Sequence, residues 1–239
     1  MVIKMRIAID LDGTLFKIYH TYEKRFEETF GKKLPDMAIS SFSLLKKEER
    51  KWSINYFQHP EIYKKAKLDR KAVKVIRKLF CEGHEISFVS CRPVQFSALT
   101  YETLRKLKYP YIDLTFVPVG KKLGVWQDKG IELVIDDELS CAKQAFNNEI
   151  YAILLTRKWN KNFHPASPYF YRADDWSEVK PIIDKIQEEK RSGKSEKEKI
   201  SYQKKSMLSL RKKRPFDDSP SDTKISWRRR QPKQSCLLM

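Results

Sequence analysis

Two carboxylates, Asp10 and Asp12, sit at the end of the run Ile7-Ala8-Ile9-Asp10-Leu11-Asp12-Gly13-Thr14-Leu15-Phe16. An apolar stretch rich in β-branched residues reads as a buried strand. Residues i and i+2 point the same way on a strand, so both acids can reach one site while the chain stays extended. Gly13 lets the backbone turn sharply just beyond them. Carboxylates placed this way can divide labour, one as nucleophile and the other as general acid/base. A second acidic pair, Asp136-Asp137, ends another apolar run, Glu132-Leu133-Val134-Ile135. Carboxylate oxygens suit a hard cation; magnesium typically takes one or two carboxylates together with phosphate and water.

Two further runs end in groups that complement these acids. Glu85-Ile86-Ser87-Phe88-Val89-Ser90 is strand-like and closes on a hydroxyl, with Cys91-Arg92-Pro93 following. Asp113-Leu114-Thr115-Phe116-Val117 is a third candidate strand, and Gly120-Lys121-Lys122 comes after it. Taken in order, the four stretches resemble the four motifs of the haloacid dehalogenase-like phosphohydrolases. The first and fourth are specific; the second and third gain weight from their order. The Ser-x-Arg-Pro form of the second is similar to the 5'-nucleotidase and deoxyribonucleotidase (cytosolic type C) branch, and the resemblance covers residues 5 to about 186.

That resemblance implies a mechanism. Asp10 attacks phosphorus and forms an aspartyl-phosphate; Asp12 protonates the leaving oxygen and then activates water. Ser90 hydrogen-bonds a phosphate oxygen. The motif lysine neutralises the nucleophile and the phosphate, and Lys122 fits its spacing better than Lys121. Mg2+ is held by Asp10, the backbone carbonyl of Asp12 and Asp136, with Asp137 binding through water or orienting Asp136. Arg92 and Phe16 join Ser90 and Lys122 as candidate substrate contacts.

The elements that must position these groups follow from periodicity. Tyr151-Ala152-Ile153-Leu154-Leu155 adds a fifth strand, and strands alternating with helices predict a doubly wound, Rossmann-like α/β fold with a parallel sheet of about five strands. Asp69 can cap a helix carrying Ala72, Val73, Ile76, Leu79 and Phe80 on one face and closed by Gly83. Residues 138–147 read as a helix, and Asp174 and Asp175 can cap a final one, its start delayed by Pro181. Residues 1–16 and 68–189 then form the core, and residues 17–67 a helical cap inserted after the first motif. Tyr19, Tyr22, Phe26 and Phe30 fall at helical spacing there. A cap excludes water and selects substrate. In the resembling nucleotidases aromatic rings sandwich the base; the candidates here are Phe16, Tyr19, Phe42 and Trp52. The polar segment Thr156-Arg157-Lys158-Trp159-Asn160 is similar to an Arg-x-Trp-Asn segment after the last strand in such relatives.

Composition bounds the alternatives. Four scattered cysteines and four histidines, with no Cys-x-x-Cys pair, argue against a structural zinc site or a disulfide framework and fit a reducing cytosol. No apolar run has the length of a membrane span. The run near the N-terminus holds the aspartates and does not read as a leader. No Walker-type loop or dinucleotide fingerprint supports a kinase or dehydrogenase. The net charge is +18, and residues 190–239 carry sixteen Lys/Arg against five Asp/Glu, a net +11. That stretch reads as a disordered basic tail. Within it, residues 210–215 are similar to a nuclear-import signal, and such clusters also bind nucleic acid. The chain ends Cys236-Leu237-Leu238-Met239, matching a farnesylation box on Cys236 beside a polybasic stretch, the two signals a membrane anchor needs.

The expectation is therefore a magnesium-dependent phosphomonoesterase acting on a nucleoside monophosphate, cytoplasmic or membrane-associated through a prenyl group. The alternatives are a sugar-phosphate or broad phosphatase, a membrane-tethered scaffold that only uses the fold, and a nuclear or nucleic-acid role carried by the tail.

Overall fold

Side-chain alternation along the first strand decides how the molecule layers. The computed structural model describes residues 3–193. From the N-terminus these form β1 (Arg6–Ile9), a two-residue strand β2 (Phe16–Lys17), helices α1 (Tyr19–Phe30), α2 (Lys47–Tyr56) and α3 (Pro60–Lys65), and β3 (Lys67–Leu68). Helix α4 (Arg70–Cys81), β4 (Glu85–Ser90), α5 (Ser97–Leu104), β5 (Asp113–Phe116), α6 (Lys122–Asp128) and β6 (Leu133–Asp136) follow. The described chain closes with α7 (Leu139–Asn147), β7 (Tyr151–Leu155), β8 (Phe170–Ala173) and α8 (Trp176–Ser192).

Six strands make one parallel sheet in the order β5-β4-β1-β6-β7-β8. Ile7 and Ile9 of β1 share one core with Ile76 and Leu79 of α4 and with Val179 and Ile183 of α8. Ala8, between them, belongs to a second core with Trp126 of α6 and Ala142 and Ala145 of α7. A period of two thus buries both faces and fixes three layers, helices on either side of the sheet. The chain runs outward from β1 through β4 to β5, then returns to β6 on the other side of β1. Reversal of strand order at this point leaves a crevice at the carboxyl ends of β1 and β6, where open α/β sheets place their ligands.

The expected sheet of about five strands has a sixth, β8. Its sequence Phe-Tyr-Arg-Ala lies at the sheet edge and is mostly half-buried, so it lacks the apolar run that marks the central strands. The final helix starts at Trp176, ahead of Pro181, with the Asp175 carboxylate accepting from Ser177 N at 2.6 Å. It continues through Ser192, and Lys190 on it pairs with Glu132 at 2.7 Å.

Residues 17–67 form α1, α2, α3 and short 3-10 turns. A two-stranded antiparallel ribbon, β2 with β3, joins this segment to the core at both of its ends. Tyr22 and Phe26 of α1 are buried. Tyr22, Phe42, Trp52, Tyr56 and Phe57 pack as one aromatic cluster. Among the described residues no helix is long and apolar enough to cross a membrane. The basic stretch 210–215, the tail expected from 190 onward beyond 193, and Cys236 lie outside the described residues.

Helix α4 carries a sequence-readable cap. The Asp69 carboxylate accepts from Lys71 N at 2.8 Å and Ala72 N at 3.3 Å. Its ion pair with Lys17, itself largely exposed, adds little. Asp69→Ala is expected to lower folding stability by about 1 kcal/mol through loss of the cap. Urea unfolding followed by circular dichroism checks it; an unchanged midpoint would show that the cap carries no net stability.

Candidate active site

Parallel pairing sets the first contact. Asp10 directly follows β1, and its N–H donates to the Ile135 carbonyl of β6 at 3.0 Å. The ladder therefore extends one step past the strand and brings Asp10 level with Asp136, the last residue of β6. Lys122 is the first residue of α6, and its side chain reaches back between them. Its Nζ lies 2.6 Å from Asp10 Oδ1 and 2.8 Å from Asp136 Oδ2. The neighbouring Lys121 is exposed, so the structure brings Lys122, and not Lys121, to the acids. Lys122 is 4% exposed. Burial lowers its pKa, but the Asp10 and Asp136 carboxylates outweigh that and hold the ammonium well above its usual range.

Asp137 completes the acidic group. One oxygen from each of Asp10, Asp136 and Asp137 lies within 4.8 Å of the others. The Thr14 hydroxyl donates to Asp137 Oδ1 at 2.8 Å, a contact the sequence did not announce. Burial, with repulsion from Asp10 and Asp136, pushes the Asp137 carboxyl well above its usual pKa despite Arg157 nearby. Three converging carboxylates, served by one lysine on two of them, are a donor set that fits a hard divalent cation. Such an ion relieves the repulsion that raises the Asp137 pKa.

Asp12 stands apart from that triad. Arg92 Nη2 donates to Asp12 Oδ1 at 2.6 Å, and Arg92 Nε lies 2.9 Å from both carboxylate oxygens. Arg92 Nη1 donates to Thr100 Oγ1 at 3.1 Å. Its guanidinium lies over Phe16 at 4.3 Å and Tyr63 at 4.9 Å. Arg92, expected as a substrate contact, lines the cavity over these groups and is paired there with Asp12. The pairing spans eighty residues and has no local sequence signal. Ser90 is buried beside it, and its Oγ accepts from Arg92 N at 3.2 Å. The Ser90 hydroxyl hydrogen has no partner among the described residues.

The loop between Asp10 and Phe16 is tightly folded. Leu11 O accepts from Leu15 N at 2.9 Å and from Phe16 N at 2.7 Å. Gly13 has φ +86°, and a Cβ there would collide with the Tyr19 ring and the Asp137 carboxylate. Only glycine fits this turn.

A cavity of about 450 Å3 opens over these groups. Asp10, Asp12, Ser90, Lys122, Asp136 and Asp137 all line it. Of the proposed aromatic contacts, Tyr19 and Phe42 face it, joined by Phe57 and Tyr63, which the sequence did not single out. Phe16 does not: its ring is 1% exposed and belongs to the core beneath Arg92. Hydrogen bonding of its N–H to Leu11 O turns the chain so that the ring faces inward. Trp52 is also elsewhere, stacked on Tyr56 at 5.0 Å within the helical segment.

Comparison with known proteins places this geometry. A family model described as 5' nucleotidase, deoxy (pyrimidine), cytosolic type C matches residues 4–189. A nucleotidase of Clostridium acetobutylicum is 24% identical over 198 residues, covering 77% of this chain and 95% of that protein. Among solved structures, a haloacid dehalogenase-like family hydrolase from Streptococcus pneumoniae superposes with a TM-score of 0.51 at 15% identity, over 75% of this chain and 98% of that one. A phosphonoacetaldehyde hydrolase-like protein from Oleispira antarctica gives a TM-score of 0.54 at 10% identity, over 78% and 93%. These structural likenesses establish a shared fold.

Burial, opposed by Lys122 and reinforced by Asp136 and Asp12, lifts the Asp10 carboxyl to about 7. In the absence of a divalent cation the native state therefore keeps a proton that the unfolded chain releases near pH 4. Stability is expected to fall as pH rises between those values, by up to ~1.4 kcal/mol per pH unit for one such group. Urea unfolding in EDTA from pH 5 to 7.5 checks this. Asp10→Asn should reduce the slope and leave the part that Asp137 contributes; an undiminished slope in the variant would assign the proton to another group.

Proposed function

The chain belongs to the 5' nucleotidase, deoxy (pyrimidine), cytosolic type C family, and on that premise we propose that it is a magnesium-dependent phosphomonoesterase that hydrolyses a nucleoside 5'-monophosphate through an aspartyl-phosphate. The observation that carries this reading is the Lys122 ammonium held between Asp10 and Asp136, with Asp12 oriented separately by Arg92. The two aspartates nearest in sequence thereby have different surroundings, which is what a nucleophile and an acid/base require.

In the first step an Asp10 carboxylate oxygen attacks phosphorus in line with the ester oxygen. The P–O bond to the leaving group breaks, and Asp12 gives that oxygen its proton. In the second step Asp12 takes a proton from water, which attacks the aspartyl-phosphate and frees Asp10 and inorganic phosphate. Lys122 and the Ser90 hydroxyl hold the non-bridging oxygens. Phosphoryl transfer depends chiefly on such positioning and charge stabilisation. Asp10, Asp136 and Asp137, with the backbone carbonyl of Asp12, would hold Mg2+, which when bound supplies positive charge to the phosphoryl oxygens. Arg92 holds both carboxylate oxygens of Asp12, so one of them must be released before Asp12 can carry the proton it delivers.

The cavity supports a nucleotide over a small sugar phosphate. Tyr19, Phe42, Phe57 and Tyr63 give its wall flat apolar faces on which a base can stack. Ser40 and Gln58 add polar groups at the same wall. A volume of about 450 Å3 falls in the range of small-molecule sites.

Phosphate release from nucleoside 5'- and 3'-monophosphates and sugar phosphates, with magnesium or EDTA, tests this function. Turnover should be fastest on a 5'-nucleotide and vanish in EDTA. Asp10→Asn should lose at least ~1000-fold in kcat, since no other carboxylate can form the covalent intermediate. Asp12→Asn should lose about 100- to 10,000-fold, the usual share of general acid–base catalysis. Sugar phosphates turning over faster than every nucleotide would overturn the nucleotidase assignment, and full activity in Asp10→Asn would overturn the mechanism.

A further inference from the structure

The turn that follows β7 grips the acidic site from behind. Arg157 Nε and Nη2 both donate to the Gly13 carbonyl, at 3.0 and 2.6 Å, and Nη1 donates to Thr156 O at 2.8 Å. In the same turn Trp159 Nε1 and Asn160 Nδ2 donate to the Asp137 carbonyl, at 3.2 and 2.9 Å. One short segment therefore holds the first acidic loop and the last acid of the triad together.

The turn is rigid enough to do so. Asn160 Oδ1 accepts from Arg157 N at 3.0 Å, and Asn160 Nδ2 also donates to Leu155 O at 2.8 Å. Arg172 of β8 donates to Asn160 Oδ1 at 3.0 Å and to Asn160 O at 2.9 Å. Asn160 and Trp159 are buried. The sixth strand thereby buttresses a segment that touches the catalytic loop.

The two gripped peptides need such a hold. Gly13 has a positive φ and no side chain of its own to anchor it; its N–H donates to Phe16 O at 2.9 Å and its carbonyl accepts from Arg157. Asp137 must be kept within 4.8 Å of two other carboxylates that repel it. Backbone tethers on the far side oppose that repulsion without occupying the carboxylate oxygens. Arg157 itself lies outside the cavity that the carboxylates line.

We propose that Arg157, supported by Asn160, is a positioning residue that sets the spacing of the divalent-cation site by clamping the Gly13 carbonyl while the same turn clamps Asp137. This rests on the function proposed above and extends it to a residue that touches neither substrate nor ion. Arginine suits the role because two N–H groups of its fixed fork converge on one carbonyl while a third binds Thr156; lysine offers one compact donor head on a flexible stem.

Calorimetric titration of the metal-free full chain with Mg2+, repeated with Mn2+ by electron paramagnetic resonance, tests the proposal in wild type, Arg157→Ala and Arg157→Lys. Turnover against magnesium concentration and thermal melting are measured alongside. Loss of an outer-shell partner typically weakens metal binding or activity about 10- to 100-fold. Arg157→Ala is expected to weaken cation binding by that factor, with Arg157→Lys between it and wild type. At saturating magnesium both variants should regain most of kcat with an unchanged substrate KM. A lower melting temperature with an unchanged cation dissociation constant would show a structural role only and overturn the proposal. If Arg157→Ala does not fold, Arg157→Lys decides: affinity equal to wild type overturns the proposal, weaker affinity supports it. A wild-type chain that binds no divalent cation and releases no phosphate overturns the proposed function and this inference with it. An active wild type whose variants bind cation equally well overturns this inference alone.

Discussion

Everything near the carboxyl ends of β1 and β6 is arranged around one buried ammonium among three buried carboxylates. Taking charges out of water costs several kcal/mol for each ion unless partners replace the lost solvation. Lys122 provides that for Asp10 and Asp136 in a single side chain. It can do so only because adjacent parallel strands bring the two acids level and because α6 begins at Lys122. The third acid, Asp137, has no lysine. A hydroxyl from Thr14 serves its carboxylate, and its carbonyl is held by Trp159 and Asn160. The balance of charge is left negative, which suits a cation and disfavours an empty, fully ionised site. The raised pKa values of Asp10 and Asp137 come first from burial, to which the neighbouring carboxylates add.

Sequence patterns revealed whatever depends on neighbours along the chain. The apolar, β-branched run Ile7-Ala8-Ile9 marked the strand, and the acid pairs at the ends of β1 and β6 marked residues that the structure brings together. The Asp69 cap and the aromatic spacing of α1 were equally local. What stayed hidden depends on distant partners. Arg92 faces Asp12 across eighty residues, and nothing around Arg92 distinguishes a phosphate ligand from a carboxylate clamp. Phe16 lies next to the acidic loop in sequence, but two bonds to Leu11 O fold the loop back and turn its ring into the core. Strands β2 and β3 have two residues each and pair across the whole inserted segment, too short to leave a periodicity.

The choice between two adjacent lysines shows how small the local difference can be. Lys121 precedes the helix with a non-helical backbone, while Lys122 is its first helical residue. Lys121 is exposed, while the Lys122 ammonium reaches Asp10 and Asp136. Spacing to the fourth motif favoured Lys122; the change of backbone at the helix start separates the two side chains.

Arg92 ties the inserted helices to the chemistry beneath them. Its guanidinium lies between Phe16, from the start of the ribbon, and Tyr63, from α3, while its nitrogens hold Asp12 and Thr100. Cation–π contacts of this kind contribute about 0.5–2 kcal/mol each when shielded from water. The same planar group thus joins the packing of α3 and the start of the ribbon to the hold on Asp12. The hold on Asp12 and the contacts with the two rings are made by one guanidinium. Helix α3 thus brings Tyr63 against the group that holds Asp12, so residues of the helical segment that line the cavity also touch the side chains that order its acids.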